Sequence, residues 1–143
     1  MNTPIFTGAS ADEAWPLIRD FHYSGRMPAN IQHCYAIRAV GGLFGETGDV
    51  GAAIVFSIPP TRWAETVLEL SRLVRRPDFA SPLSQLIAMA ARMMKKNGHD
   101  LLVSFADWPQ GHHGGVYQAA GWNYAGQREN ASSRANGREA RAW

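Results

Sequence analysis

The stretch TVLELSRLVRRPDFASPLSQLIAMAARMMKKNGHDLLVSFAD, Thr66–Asp107, decides the fold. Thr66 to Val74 is rich in Val and Leu and reads as a strand. Pro82 to Asn97 reads as a helix, because Leu83, Leu86, Ile87, Ala90, Ala91 and Met94 recur at helical spacing. Ser81 is a good N-cap, and Pro82 suits the first helical position, where a missing N–H costs little. Arg92, Lys95 and Lys96 complement the helix dipole at its end, and Gly98 is a stop. Asp100 to Asp107, DLLVSFAD, is a short apolar strand. Strand, helix, strand in this order implies a parallel pair joined by a right-handed crossover.

Upstream, His33–Val40 and Val50–Ile58 read as strands. The glycines between them, Gly41, Gly42, Gly45, Gly48 and Gly51, predict an antiparallel hairpin. Asp12–Phe21 predicts a helix capped by Ser10 or Asp12, with Trp15, Ile18 and Phe21 on its apolar face and Pro16 near its first turn. HYSGRMPAN, His22–Asn30, is a loop. Downstream come a loop (WPQGHHGG), a short helix (GVYQAAGW) and another strand (WNYAGQ). The tail from Arg128 holds Asn136-Gly137, a hairpin dipeptide. Residues 128–143 therefore form either a polar hairpin or a basic tail. The whole is one domain over residues 1–143, of class α/β, with a mixed sheet and helices packed on it.

At 143 residues with 45% hydrophobic and 18% charged side chains, the chain can bury a core and is not disordered as a whole. Its net charge of +2 demands neither a nucleic acid nor a membrane. All basic residues but Lys95 and Lys96 are arginines, which suits planar contacts to phosphate. Cys34 is the only cysteine, which excludes an internal disulfide and any multi-cysteine metal site. No apolar run is long enough to span a bilayer, and the N-terminus lacks a signal-peptide pattern, so the expected protein is soluble and intracellular.

Several residues suggest chemistry. The turn from Val74 to Ser84 leads into a helix N-terminus, whose outward N–H groups and dipole can hold a phosphate. It carries no glycine-rich phosphate loop, and an ordinary capped helix with surface arginines is the commoner arrangement. Asp107 ends a parallel strand, where ligands of open α/β sheets sit, and is followed by Trp108, His112 and His113. An aspartate beside imidazoles can act as a base or bind a metal, or simply cap a loop. His22-Tyr23-Ser24 places three reactive side chains on a loop. Tyr117 is either a proton donor or a packed core tyrosine. Glu69 and Arg72 share a strand, and strict alternation predicts opposite faces for them. Glu69 is either a base or a salt-bridged surface group.

The second half of the chain, and GGVYQAAGWNYAG in particular, resembles the acyl-CoA core of the GNAT acetyltransferase superfamily. The resemblance implies that Tyr117 protonates the CoA thiolate and that the turn from Val74 to Ser84 takes the CoA pyrophosphate. FASPLSQ stands where that superfamily has Arg-Gly-x-Gly, so the hydroxyls of Ser81 and Ser84 would replace glycine-mediated contacts. A narrower resemblance rests on FHYSGRMP, ELSRLVRRP, PLSQLI, LVSFADWPQGHHGGVYQAAGW and the closing NGR. These segments are similar to the phage Mom family of DNA-modifying proteins, which have a GNAT-like fold. That family converts the N6 amine of adenine to a methylcarbamoyl derivative, which protects bacteriophage DNA from host restriction in the bacterial cytoplasm.

The narrower resemblance implies acetyl-CoA, iron and double-stranded DNA as ligands. It carries functional roles onto His22, Tyr23, Arg72, Ser84, Asp107 and Tyr117: His22, Tyr23, Asp107 and Tyr117 as catalytic residues, Arg72 and Ser84 in coenzyme binding, and His22 and Asp107 as metal ligands with Tyr23 or His112 close by. A base hidden in a duplex must be flipped out, and Trp108, Trp63 and Tyr23 are candidate stacking platforms. Arg26, Arg62, Arg128, Arg134, Arg138 and Arg141 are candidate phosphate contacts. Two other readings stand: a conventional GNAT N-acetyltransferase acting on a small-molecule or protein amine, and a non-catalytic acyl-CoA- or DNA-binding module.

Overall fold

A computed structural model describes residues 3–41, 46–59, 67–79, 82–99, 101–107, 115–128 and 140–142. Its elements are β1 (Thr3–Gly8), α1 (Ala11–Phe21), β2 (Ile31–Gly41), β3 (Glu46–Ser57), β4 (Val67–Arg75), α2 (Leu83–Lys96), β5 (Leu101–Asp107), α3 (Gly115–Ala119), β6 (Gly126–Arg128) and β7 (Ala140–Ala142). The strands lie in the order β1-β2-β3-β4-β5-β7-β6. β2 and β3 form the expected antiparallel hairpin, and β4 and β5 the expected parallel pair. The mixed α/β sheet with flanking helices agrees with the sequence reading.

Two cores sit on opposite faces of the sheet. On one face, Ile54, Phe56, Leu68 and Leu70 pack against Leu86, Ile87 and Met94 of α2 and Tyr117 of α3. On the other, Ala53, Val55 and Val74 pack against Ala14, Leu17 and Ile18 of α1. The buried stripe of α1 is therefore rotated from the predicted one. Ile18 is fully buried, whereas Trp15 is 36% and Phe21 46% exposed. Small Ala14 lets the helix lie close to the sheet, which a tryptophan at the centre of the contact would prevent.

Ser10 caps α1 in a reciprocal capping box with Glu13. Arg38 of β2 reaches both Glu13 and Thr7 and so ties α1 to the sheet edge. Pro16 lies past the first turn, inside the helix. The lost hydrogen bond would have gone to the Asp12 carbonyl, and both residues are exposed, so water can serve that oxygen.

Three further differences bear on the site. β1 was not expected from the sequence; it pairs antiparallel with β2. Only Gly126 and Gln127 of the predicted WNYAGQ strand are extended; β6 runs on to Arg128 and joins β5 through β7. Asn136-Gly137 lies outside the described residues. α2 begins one residue late, with Pro82 as N-cap and no side-chain hydrogen bond at the cap. The predicted cap, Ser81, lies outside the described residues. No helix among the described residues is long and apolar enough to cross a membrane.

Candidate active site at the split between two parallel strands

The parallel ladder between β4 and β5 runs only from Val67↔Leu101 to Leu70↔Ser104. Beyond it β4 continues to Arg75, while β5 changes partner and pairs with β7 from Phe105 to Asp107. The two strands therefore part at Leu70 and Ser104. The outer half of β4 keeps its bonds to β3 but has no β5 neighbour. A cleft that opens between parallel strands at their carboxyl ends is where α/β sheets hold ligands.

Tyr117 closes the vertex of this cleft. Its phenol oxygen lies 2.7 Å from Ser104 Oγ, which lies 3.2 Å from the Leu70 carbonyl. Burial pushes the Tyr117 phenol above its ordinary value, opposed by the Ser104 hydrogen bond. The ring is held by α3 and by Trp122, whose indole is 5.5 Å away between centroids. Ser104 was not singled out in the sequence. The available signal was one hydroxyl inside the apolar run DLLVSFAD, since a buried polar group needs a partner.

A bulge shapes the opposite wall. Val55 pairs with Arg72 and Phe56 with Leu70, so Ser71 is the extra residue. The bulge reverses the alternation and corrects the expectation that Glu69 and Arg72 face opposite ways. Glu69 pairs with Ser57 and Arg72 with Val55, two positions apart on β3 and hence on one face, the α1 face. Burial lowers the Arg72 pKa, and the charges of Tyr23 and Glu69 oppose that shift. The same two groups act on Tyr117, so Tyr23, Glu69, Arg72 and Tyr117 share one electrostatic neighbourhood.

The loop after α1 supplies Tyr23. His22 is the C-cap of α1, and Gly25 takes φ +57° as its N–H returns to the His22 carbonyl at 3.0 Å. The rings of His22 and Tyr23 stack with centroids 4.5 Å apart, and Tyr23 is 51% exposed. Arg72 anchors this loop through its Nε, which donates to the Arg26 carbonyl at 2.8 Å, while Nη1 donates to the Ser71 carbonyl at 2.7 Å.

The remaining expected residues fall in different places. Val74 is only 4% exposed and points into the α1 core, so only its backbone could touch a ligand. Ser84 stands in the first turn of α2, half-buried. With no side-chain hydrogen bond at its cap among the described residues, α2 offers the N–H groups of Leu83 and Ser84 as candidate donors for an anion. The turn before it is fastened to β3: Arg76 N–H donates to the Gly51 carbonyl at 2.8 Å, and the Phe79 ring rests on the Gly51 backbone. Asp107 pairs through its backbone with Ala140 of β7, and its side chain lies outside the described part. Trp63, Arg62, Trp108, His112, His113, Arg134 and Arg138 also lie outside it.

Iron does not fit the described residues. No three His, Cys, Asp or Glu side chains converge among them. His22 Nδ1 accepts the Ser24 backbone N–H at 3.1 Å and lies 2.8 Å from Ser24 Oγ. An Nδ1 that accepts leaves the neutral ring's proton on Nε2, the nitrogen a metal would need bare. Cys34 is buried, and burial pushes its thiol up, which leaves it a poor nucleophile.

A mixed sheet with one split parallel pair and helices on both faces is the architecture of the GNAT acetyltransferases, and solved structures of that class superpose on nearly the whole chain. A Bacillus subtilis acetyltransferase in complex with CoA matches at 16% identity and TM-score 0.66, covering 99% of this chain and 96% of that one. The ribosomal-protein-S18-alanine N-acetyltransferase of Escherichia coli matches at 12% identity and TM-score 0.67, covering 98% and 91%. A GNAT family acetyltransferase from Elizabethkingia anophelis with acetyl-CoA bound matches at 12% identity and TM-score 0.64, covering 97% and 96%. Such identities show the fold. No curated protein sequence is significantly similar to the chain. The family model of the Mom protein family matches residues 5–142, and the chain belongs to that family.

Proposed function

We propose that this protein is a DNA-modifying transferase that uses the thioester of acetyl-CoA to convert the N6 amine of adenine in double-stranded DNA to a methylcarbamoyl derivative, which shields phage DNA from restriction. The observation that supports this most is the β4–β5 split with a buried phenol at its vertex, in a chain of the Mom protein family.

Each part of the cleft suits one part of this task. The Leu83 and Ser84 N–H groups suit the pyrophosphate of CoA. The outer half of β4, which β5 does not accompany, suits the amides of the pantetheine arm, which would continue the sheet in place of β5. The thioester then lies toward the vertex. Joining the methyl carbon to N6 removes a hydrogen from each and calls for a two-electron oxidant. The carboxamide nitrogen must come from a donor at the oxidation level of ammonia that displaces CoA at the carbonyl carbon. In that displacement the C–S bond breaks, and the departing thiolate needs a proton. Tyr117, kept protonated by burial, can give it.

The other substrate enters over the α1 face. Adenine in a duplex must leave the stack to reach a cleft. The exposed Tyr23 ring, backed by His22, offers it a platform. The N6 lone pair is delocalised into the purine, so the amine needs help losing its proton, a role that suits Glu69, whose place on the α1 face of β4 supports the reading. Arg26 is exposed at the rim and suits a phosphate.

Mass spectrometry of nucleosides from DNA co-expressed with the protein tests the reading. The expected result is deoxyadenosine carrying one carboxamidomethyl group in place of a hydrogen. Unmodified DNA, from a preparation that releases CoA with other amines, would instead identify a conventional GNAT N-acetyltransferase.

A further inference from the structure

We infer that Ser104 is a positioning residue for the reaction: its hydroxyl accepts the hydrogen bond of the neutral Tyr117 phenol and turns to donate one to the phenolate once Tyr117 has given up its proton. This rests on the role proposed for Tyr117.

The geometry of three oxygens supports it. Ser104 is fully buried, 2.7 Å from the phenol oxygen and 3.2 Å from the Leu70 carbonyl. Ser104 Oγ is placed to donate either to the Leu70 carbonyl, which can only accept, or to the phenol oxygen; with its single proton on Leu70, its oxygen can accept from the neutral Tyr117 phenol. Leu70 and Ser104 are also the last residues of the parallel ladder. Ser104 therefore stands where the sheet opens, joining the phenol to the backbone of the neighbouring strand. Its Oγ needs only a rotation about one bond to face the phenol oxygen as a donor.

The C–S cleavage is an ordinary acyl substitution, separate from the bond between the methyl carbon and N6, which removes a hydrogen from each and needs a two-electron oxidant. In the cleavage, a nitrogen nucleophile at the oxidation level of ammonia forms its bond to the carbonyl carbon and releases a proton, and the C–S bonding pair leaves with sulfur. Sulfur takes the phenolic proton and becomes a thiol. The phenolate is held by the Ser104 O–H until it regains a proton from solvent, so no oxidant or reductant is used in this step. A phenolate in a buried site without such a donor would be costly, because charge away from water needs a partner. The Ser104 bond opposes the upward push of burial on Tyr117, the sense expected of a donor to the ionised form.

Ser104→Ala and Ser104→Cys test the inference, the second keeping the volume but offering only a weak donor. Two readouts apply: CoA thiol release with acetyl-CoA and duplex DNA, and ultraviolet titration of tyrosine, with the Tyr117 component isolated by comparison with Tyr117→Phe. In both variants kcat should fall by about tenfold or more, the loss expected for a hydrogen bond to a charged group, with KM for acetyl-CoA unchanged. Tyr117 should ionise at higher pH, and in the Tyr117→Phe background neither variant should lower kcat further. Wild-type kcat and titration in Ser104→Cys would show that volume alone matters and would overturn the inference, as would an unshifted titration in both variants. If the wild-type protein releases no CoA with DNA, the proposed function fails, while the titration still decides whether Ser104 governs the Tyr117 phenol.

Discussion

The guanidinium of Arg72 is bonded to the carbonyl of Arg26, Nε to O at 2.8 Å, and through it a strand in the middle of the sheet holds the loop that carries His22 and Tyr23. Its Nη1 simultaneously holds the carbonyl of the bulge residue Ser71. Two of its N–H groups thus serve backbone oxygens, so the role the structure gives Arg72 is that of a clamp between the two walls of the cleft.

This makes Arg72→Ala informative. Charge-assisted hydrogen bonds are worth about 1.5–3 kcal/mol, so releasing the loop should lower kcat by at least roughly tenfold. KM for acetyl-CoA should stay close to the wild-type value. A rise in KM with kcat preserved would show instead that Arg72 binds the coenzyme, as the family resemblance implies.

The Tyr23 ring can be probed apart from its hydroxyl. Tyr23→Phe should keep both the His22 stack and DNA modification. Tyr23→Ala should reduce modification by about five- to a hundredfold, the range expected for losing ~1–3 kcal/mol of base stacking. Equal losses in the two variants would assign the work to the phenol oxygen rather than to the ring.

Gly51 leaves no space for a side chain. A Cβ there would lie 2.2 Å from Phe79 Cδ2, so Gly51→Ala must displace the ring that holds the turn before α2. The expected cost is about 1–3 kcal/mol in urea unfolding, with weaker acetyl-CoA binding. Adding Phe79→Ala should recover part of the stability, because it removes the atom that clashes. No recovery would mean that β3 itself is damaged.

Acid should destabilise the protein through His33. Burial lowers its pKa below 6.5, helped by His99, whose ring centre lies 5.4 Å away. The unfolded chain therefore takes up this proton first. The contribution is fully present above about 6.5 and is lost as pH falls through the lower folded-state value. Urea midpoints measured on both sides of that range should differ in the wild type and converge in His33→Gln, beyond the change common to other groups.

The sequence by itself determined the βαβ unit and the hairpin before it. Helical spacing from Leu83 to Met94 and the apolar runs on either side admit one arrangement, because periodicity and chain connectivity are local properties. It also singled out Tyr117 and the pair His22-Tyr23, whose residue types and motif context were legible. What only the tertiary structure decided was which of these groups meet. The Ser71 bulge that turns Glu69 and Arg72 onto one face depends on the register between β3 and β4, which no spacing along one strand reveals. The partnership of Ser104 with Tyr117 requires α3 to dock over the point where β5 leaves β4 for β7, a long-range change of partner that is set by packing rather than by pattern.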